Sequence, residues 1–156
     1  MKQLWEMADF VRRLSRQLLF GKFSRAPLKL VRFEWRGEMA ECEWMIRPPD
    51  PWDSDLPDEA ARRNQTLQAL CDALVIREIL FATIGSVQSA RFRAYRPAPS
   101  GSTELVITGT VSRDDNPPPR VASEAMRAKL FGLQFVLDEG VLEPVAVKDR
   151  HWNFAT

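Results

Sequence analysis

The sequence predicts an α+β fold in which antiparallel hairpins carry helices packed on one face, in the order α-β-β-α-β-β-α-β. Three observations predict it. Apolar residues recur every three or four positions in three segments, as amphipathic helices require. They recur at every second position in two pairs of segments, as half-buried strands require. Most of the 11 prolines gather at 48–57, 97–99 and 117–119, where they separate those segments instead of interrupting them. A chain of 156 residues has the length of one domain, read here as 1–148 with a tail over 149–156.

The first helix is expected over 4–20. Met7, Val11, Leu14 and Leu18 draw its apolar stripe, Gly21 is its stop, and Arg12, Arg13 and Arg16 lie opposite, where Asp9 can pair with Arg12 or Arg13. Two strands, 28–35 and 39–47, turn at Gly37-Glu38. In the second, Ala40, Cys42, Trp44 and Ile46 alternate with Glu41, Glu43 and Met45. A two-residue loop with Gly first sets Phe33 opposite Cys42 and Arg32 opposite Glu43, one apolar pair and one ion pair.

A proline- and aspartate-rich loop over 48–58, holding Trp52, leads into a long helix ending near residue 84. Asp58 and Glu59 suit its N-terminus. Leu67, Leu70, Cys71, Leu74 and Phe81 form its stripe, and 73–84 is apolar nearly all round except for Arg77 and Glu78, so that half belongs in the core. The second hairpin sets Ala90, Phe92 and Ala94 against Arg91, Arg93 and Tyr95, then Leu105, Ile107, Gly109 and Val111 against Val106, Thr108 and Thr110, with a loop over 97–102.

The last third reads as a helix over 121–137 stopped by Gly140, then a strand over 141–147. Met126, Leu130, Leu133 and Leu137 share one face of that helix, while Phe131 and Phe135 share another. The competing reading ends the helix at Gly132 and makes 133–137 a strand that turns at 138–140. A pattern R-x-x-L-F-[GA] recurs at 16–21, 77–82 and 127–132, which suggests an αββ repeat. The expected core includes Phe33, Trp44, Leu74, Phe92, Ile107 and Leu130.

Chemical signatures are absent from this sequence. The only histidine is His151, in the tail, which leaves Cys71 and every serine without an imidazole base. The aspartates 50, 53, 55 and 58 lack the glycine of a calcium loop, and Pro57 stands where a further ligand belongs. No glycine-rich phosphate loop occurs. The reading is therefore non-enzymatic, with no cofactor and no metal. Glu78 alone is flagged, as a buried carboxylate between Cys71 and Leu74 on the apolar stripe; such a group finds a cation or shifts its pKa upward. Its ordinary alternative is that Glu78 reaches solvent. Two cysteines with no C-x-x-C spacing read as reduced residues of a cytoplasmic protein, and neither a signal peptide nor a membrane span is expected.

Three functions remain. The first is a non-catalytic interaction or assembly module, a homo-oligomer or the carrier of a protein partner, with Phe131, Phe135 and Trp52 at its interface. The order helix, hairpin, helix, hairpin, helix resembles that of type III secretion chaperones, without a shared motif. The resemblance implies a dimer that holds partner segments, although those chaperones are typically acidic and this chain carries a net charge of +1. The second is weak nucleic-acid binding through Arg32, Arg36, Arg47, Arg91 and Arg93 on a sheet face beside a basic first helix. It ranks lower because Glu34, Glu41, Glu43 and Glu104 dilute that face, and only Tyr95 offers a ring beside the arginines. The third is a small-ligand binder or enzyme with a pocket between the second helix and the sheet, near Glu78.

Overall fold

The computed structural model describes residues 2–18, 26, 28–49, 55–116 and 123–145. Helix α1 (Lys2–Gln17) precedes the hairpin of β1 (Lys29–Arg36) and β2 (Met39–Met45), and α2 (Asp58–Thr83) leads to the hairpin of β3 (Ser89–Pro97) and β4 (Thr103–Ser112). Then come α3 (Glu124–Leu130), β5 (Leu133–Gln134), β6 (Val136–Asp138) and β7 (Val141–Glu143). The fold class is α+β, as the sequence predicts.

Both hairpins keep the register that alternation and turn geometry dictate. Phe33 pairs with Cys42 and Arg32 with Glu43 across β1 and β2, and Gly37 supplies the positive φ, +62°, that the two-residue loop needs. Ala40, Cys42, Trp44, Ala90, Phe92 and Ala94 are fully buried on the helix-bearing face. Trp44 and Phe92 meet edge to face at 5.2 Å. The two hairpins join through a parallel pairing of β2 with β3, so the five-stranded sheet is mixed, in the order β1-β2-β3-β4-β5. β1 and β3 consequently point in opposite directions. With the helices on one face, the two helix–hairpin units have opposite hand, so αββ recurs as an element order and not as a superposable unit.

α1 turns its core face slightly away from the expected stripe. Phe10, Leu14 and Leu18 are buried, while Val11 is exposed. Phe10 lies about 60° round the helix from Met7 and buries more apolar area than Val11 would, so the larger side chain sets the rotation. Its ring sits 4.4 Å from that of Phe33. Asp9 pairs with Arg13 at 3.4 Å, as the spacing predicts.

α2 is the centre of the core. Its carbonyls at Phe81 and Ile84 accept from the Arg113 guanidinium, both at 2.9 Å, a cation placed where the helix dipole favours one. Arg47, expected on the basic sheet face, instead turns inward and is 1% exposed. Its Nε donates to Asp72 Oδ2 at 2.8 Å and its Nη2 to Asp72 Oδ1 at 3.2 Å, while Gln68 donates to the same carboxylate at 2.8 Å. This network ties the end of β2 to α2. Burial pushes the Asp72 carboxyl above its usual range, against the pull of Arg47 and Gln68.

α3 is short, and the competing reading of the last third holds. Ser123 caps its start by accepting from the Met126 N–H at 3.1 Å. Gly132, at φ +100°, ends it, and β5 then lies against β4 with Leu133 opposite Gly109. A Cβ on Gly109 would collide with the Gly132 carbonyl, and one on Gly132 with the Thr110 carbonyl. Two glycines therefore permit this close approach. Residues 136–143 form a separate ribbon of β6 and β7 turning at Glu139-Gly140. Leu130, expected in the core, is exposed together with Met126 one turn before it, because α3 turns its Ala128 side inward and that face out. No helix among the described residues is long and apolar enough to cross a membrane.

Candidate interaction surface

The interface expected at Phe131 and Phe135 rests on a helix that continues to 137, and that helix ends at Leu130. Phe135 alternates into the core at 5% exposure. Phe131 is half-buried beneath the Arg77 guanidinium, 4.0 Å from its ring centre. Arg77 also donates to the Ser112 and Asp115 carbonyls, at 2.7 and 3.0 Å. Both phenylalanines are thus covered by their own chain. Trp52 lies outside the described residues.

Glu78 is exposed, so the flagged buried carboxylate is a solvated one, and Asp72 is the carboxylate that the core encloses. The helical period places Glu78 one turn past Leu74 and two past Cys71, but on the outer flank of the stripe. There it borders an open cleft of about 420 Å³ among α1, α2 and α3, with Cys71, Asp72, Glu124 and Arg127. This cleft is on the helical side of the molecule and not between α2 and the sheet. No group of three His, Cys, Asp or Glu residues suited to a metal occurs among the described residues.

Arg32, Arg36, Arg91 and Arg93 do share the polar face of the sheet, interleaved with carboxylates. Arg32 reaches Glu34 at 2.6 Å, Glu43 at 2.8 Å and Glu41 at 3.1 Å, and Arg91 reaches Glu41 at 3.6 Å. The Tyr95 hydroxyl donates to Glu43 at 2.9 Å, so the ring beside these arginines is tied into the same carboxylate network.

The surface with the most unspent binding capacity is the edge formed by β1. Among the described residues β1 has β2 as its only neighbour, which leaves the other side of an eight-residue strand with open main-chain donors and acceptors. The far edge is blunted: β5 pairs over two residues, and Val145 N–H donates to the Leu105 carbonyl at 2.7 Å. Beside β1 opens a cleft of about 620 Å³ bounded by Met7, Phe33, Trp35 and Met39, with Glu34, Arg36 and Glu41 at its polar rim. Exposed apolar side chains stand on the two elements that bound it: Leu4 at 68% and Val11 at 40% exposure on α1, and Val31 at 53% on β1. Leu4 and Val11 share the helix face of Met7, at spacings of three and four. Sequence reasoning missed this surface because a hairpin pattern does not say which strand is the edge. The apolar residue Leu4, one turn ahead of Met7 on the stripe, was the available signal.

Compared with known proteins, the chain matches no family model, no curated protein and no solved structure.

Proposed function

We propose that this chain is a non-catalytic protein-interaction module whose binding element is the open edge of β1. The observation that carries the proposal is an eight-residue edge strand whose outer side has no neighbouring strand among the described residues, beside a cleft lined largely by apolar side chains. Strand addition at such an edge draws affinity from main-chain hydrogen bonds and specificity from pockets for alternate side chains. Met7, Phe33, Trp35 and Met39 supply that pocket. The test is selection of peptides from a random display library on the immobilised protein, with bound peptides mapped by backbone amide shifts. Selected peptides are expected to perturb residues 29–36 and the facing side of α1. Peptides that map elsewhere, or none above background, overturn the proposal.

A second reading, small-ligand binding, draws on the cleft where Cys71 and Glu78 meet Asp72, Glu124 and Arg127. It ranks below the first because that cleft is wide open, whereas ligand pockets enclose most of their ligand. Nucleic-acid binding ranks third, since glutamates already engage Arg32 and Arg91.

A further inference from the structure

We infer that the occupant of the β1 edge is β1 of a second copy of this chain, run antiparallel about a two-fold axis at Phe33, so that two five-stranded sheets become one. The inference rests on the reading of the β1 edge as an interaction site.

The polar face of β1 alternates in charge along the strand, Arg32, Glu34 and Arg36. One guanidinium, Arg32, serves Glu34, Glu41 and Glu43, and Glu34 stands directly opposite Glu41 in the ladder, a like-charge pairing. Glu34 is 64% exposed on the open side. Its carboxylate meets Arg32 of its own strand at 2.6 Å and keeps most of its surface open to a second cation.

Backbone geometry limits where a partner strand can pair. The register of β1 shifts between Leu30 and Arg32, a bulge that ends regular pairing, and Gly37 begins the turn. Residues 31–36 remain. Two copies joined through the same edge about an axis perpendicular to the sheet run antiparallel and keep all helices on one side. Residues directly opposite must then share a face.

Charge selects among the registers that satisfy this. With the axis at 32, Arg32 faces the partner's Arg32. With the axis at 34, Glu34 faces the partner's Glu34 and Arg32 faces the partner's Arg36. An axis at 35 sets Phe33 against the turn at the partner's Gly37. The axis at Phe33 sets Arg32 against the partner's Glu34 twice, Phe33 against the partner's Phe33, and Val31 against the partner's Trp35. This segment, Val-Arg-Phe-Glu-Trp, is self-complementary in both charge and apolarity. The two-fold axis makes the exchange mutual: each Arg32 faces the partner's Glu34 while staying within reach of its own Glu41 and Glu43. On the other face, the two α1 helices lie on the same side of the joined sheet.

The test is light scattering of the full chain after size exclusion across a concentration series. The wild type is expected at twice 17.9 kDa. Glu34→Lys sets a lysine against the partner's Arg32 at two places and is expected to weaken the dimer roughly 10- to 100-fold while the circular dichroism spectrum is unchanged. Val31→Lys, at an exposed edge position, does the same by blunting the strand and stands in should Glu34→Lys fail to fold. The register has its own readout: Arg32→Glu, mixed with Glu34→Lys, restores a dimer that neither forms alone. A wild type that stays monomeric to about 100 μM, a concentration ample for a dissociation constant of about 1 μM, overturns the inference and leaves peptide binding at β1 standing. A dimer that Glu34→Lys and Val31→Lys both leave intact overturns it as well.

Discussion

Replacing Arg47 by Met is expected to cost about 3–5 kcal/mol, the penalty for leaving one partner of a buried ion pair uncompensated. Solvent offers no relief, since the Arg47 and Asp72 side chains are 1% and 2% exposed. Removal of the guanidinium takes two donors from Asp72, leaving Gln68, and one donor from the Ala26 carbonyl, which Arg47 Nη1 meets at 2.9 Å. At about 2–4 °C per kcal/mol for a chain of this size, Tm should fall by roughly 6–20 °C. The double variant Arg47→Met/Asp72→Leu removes both charges and is expected to recover most of the loss. The sign of the pH dependence follows from Asp72. Burial already holds its carboxyl above the usual range, and without Arg47 it rises further. The folded variant then holds a proton that the unfolded chain releases, so its stability falls as pH rises between the unfolded and folded pKa values. Its deficit against the wild type should therefore be smaller near about pH 5 than near about pH 7. Urea unfolding followed by circular dichroism on the wild type, Arg47→Met, Asp72→Leu and the double variant at both pH values measures this. A loss under about 1 kcal/mol, or single effects that simply add in the double variant, refutes the reasoning.

Phe92→Ala, at a fully buried ring that meets Trp44 edge to face, should cost about 3–5 kcal/mol, whereas Leu130→Ala, at an exposed helix end, should stay within about 0.5 kcal/mol; the denaturation midpoints decide. Gly132→Ala should destabilise by more than about 1 kcal/mol, because the position needs φ +100° and a Cβ would meet the Thr110 carbonyl; an unchanged midpoint would show that β5 can leave β4 without loss. An aromatic disulfide reagent should modify Cys71, half-buried at the helical cleft, while Cys42 stays protected until unfolding, because burial pushes the Cys42 thiol well above its usual range. Equal rates for the two thiols in the folded protein would contradict the burial of β2.

Local features were legible in the residues. Alternation and a two-residue turn with Gly37 first fix Phe33 against Cys42 and Arg32 against Glu43, because hairpin register depends on the turn and the period of two and on nothing distant. The same holds for Ala90, Phe92 and Ala94 on the inner face of β3. The end of α3 was balanced in the sequence. Helical spacing through Leu137 competed with a stop at Gly132, and the choice fell to packing that spacing does not contain: Gly132 and Gly109 allow β5 to approach β4.

What only the tertiary structure decided are the relations between segments far apart in the chain. The parallel pairing of β2 with β3 depends on where α2 carries the chain, and it makes β1 an edge. Alternation puts Arg32 and Arg91 on the polar face, but it did not reveal that Arg47 leaves that face for Asp72, 25 residues away, or that Arg77 sinks between Phe81 and Phe131. A charged side chain can be buried only where a distant segment supplies its partner, so its burial is a property of the assembled fold, and the sequence by itself determined the strands and helices whose assembly creates that place.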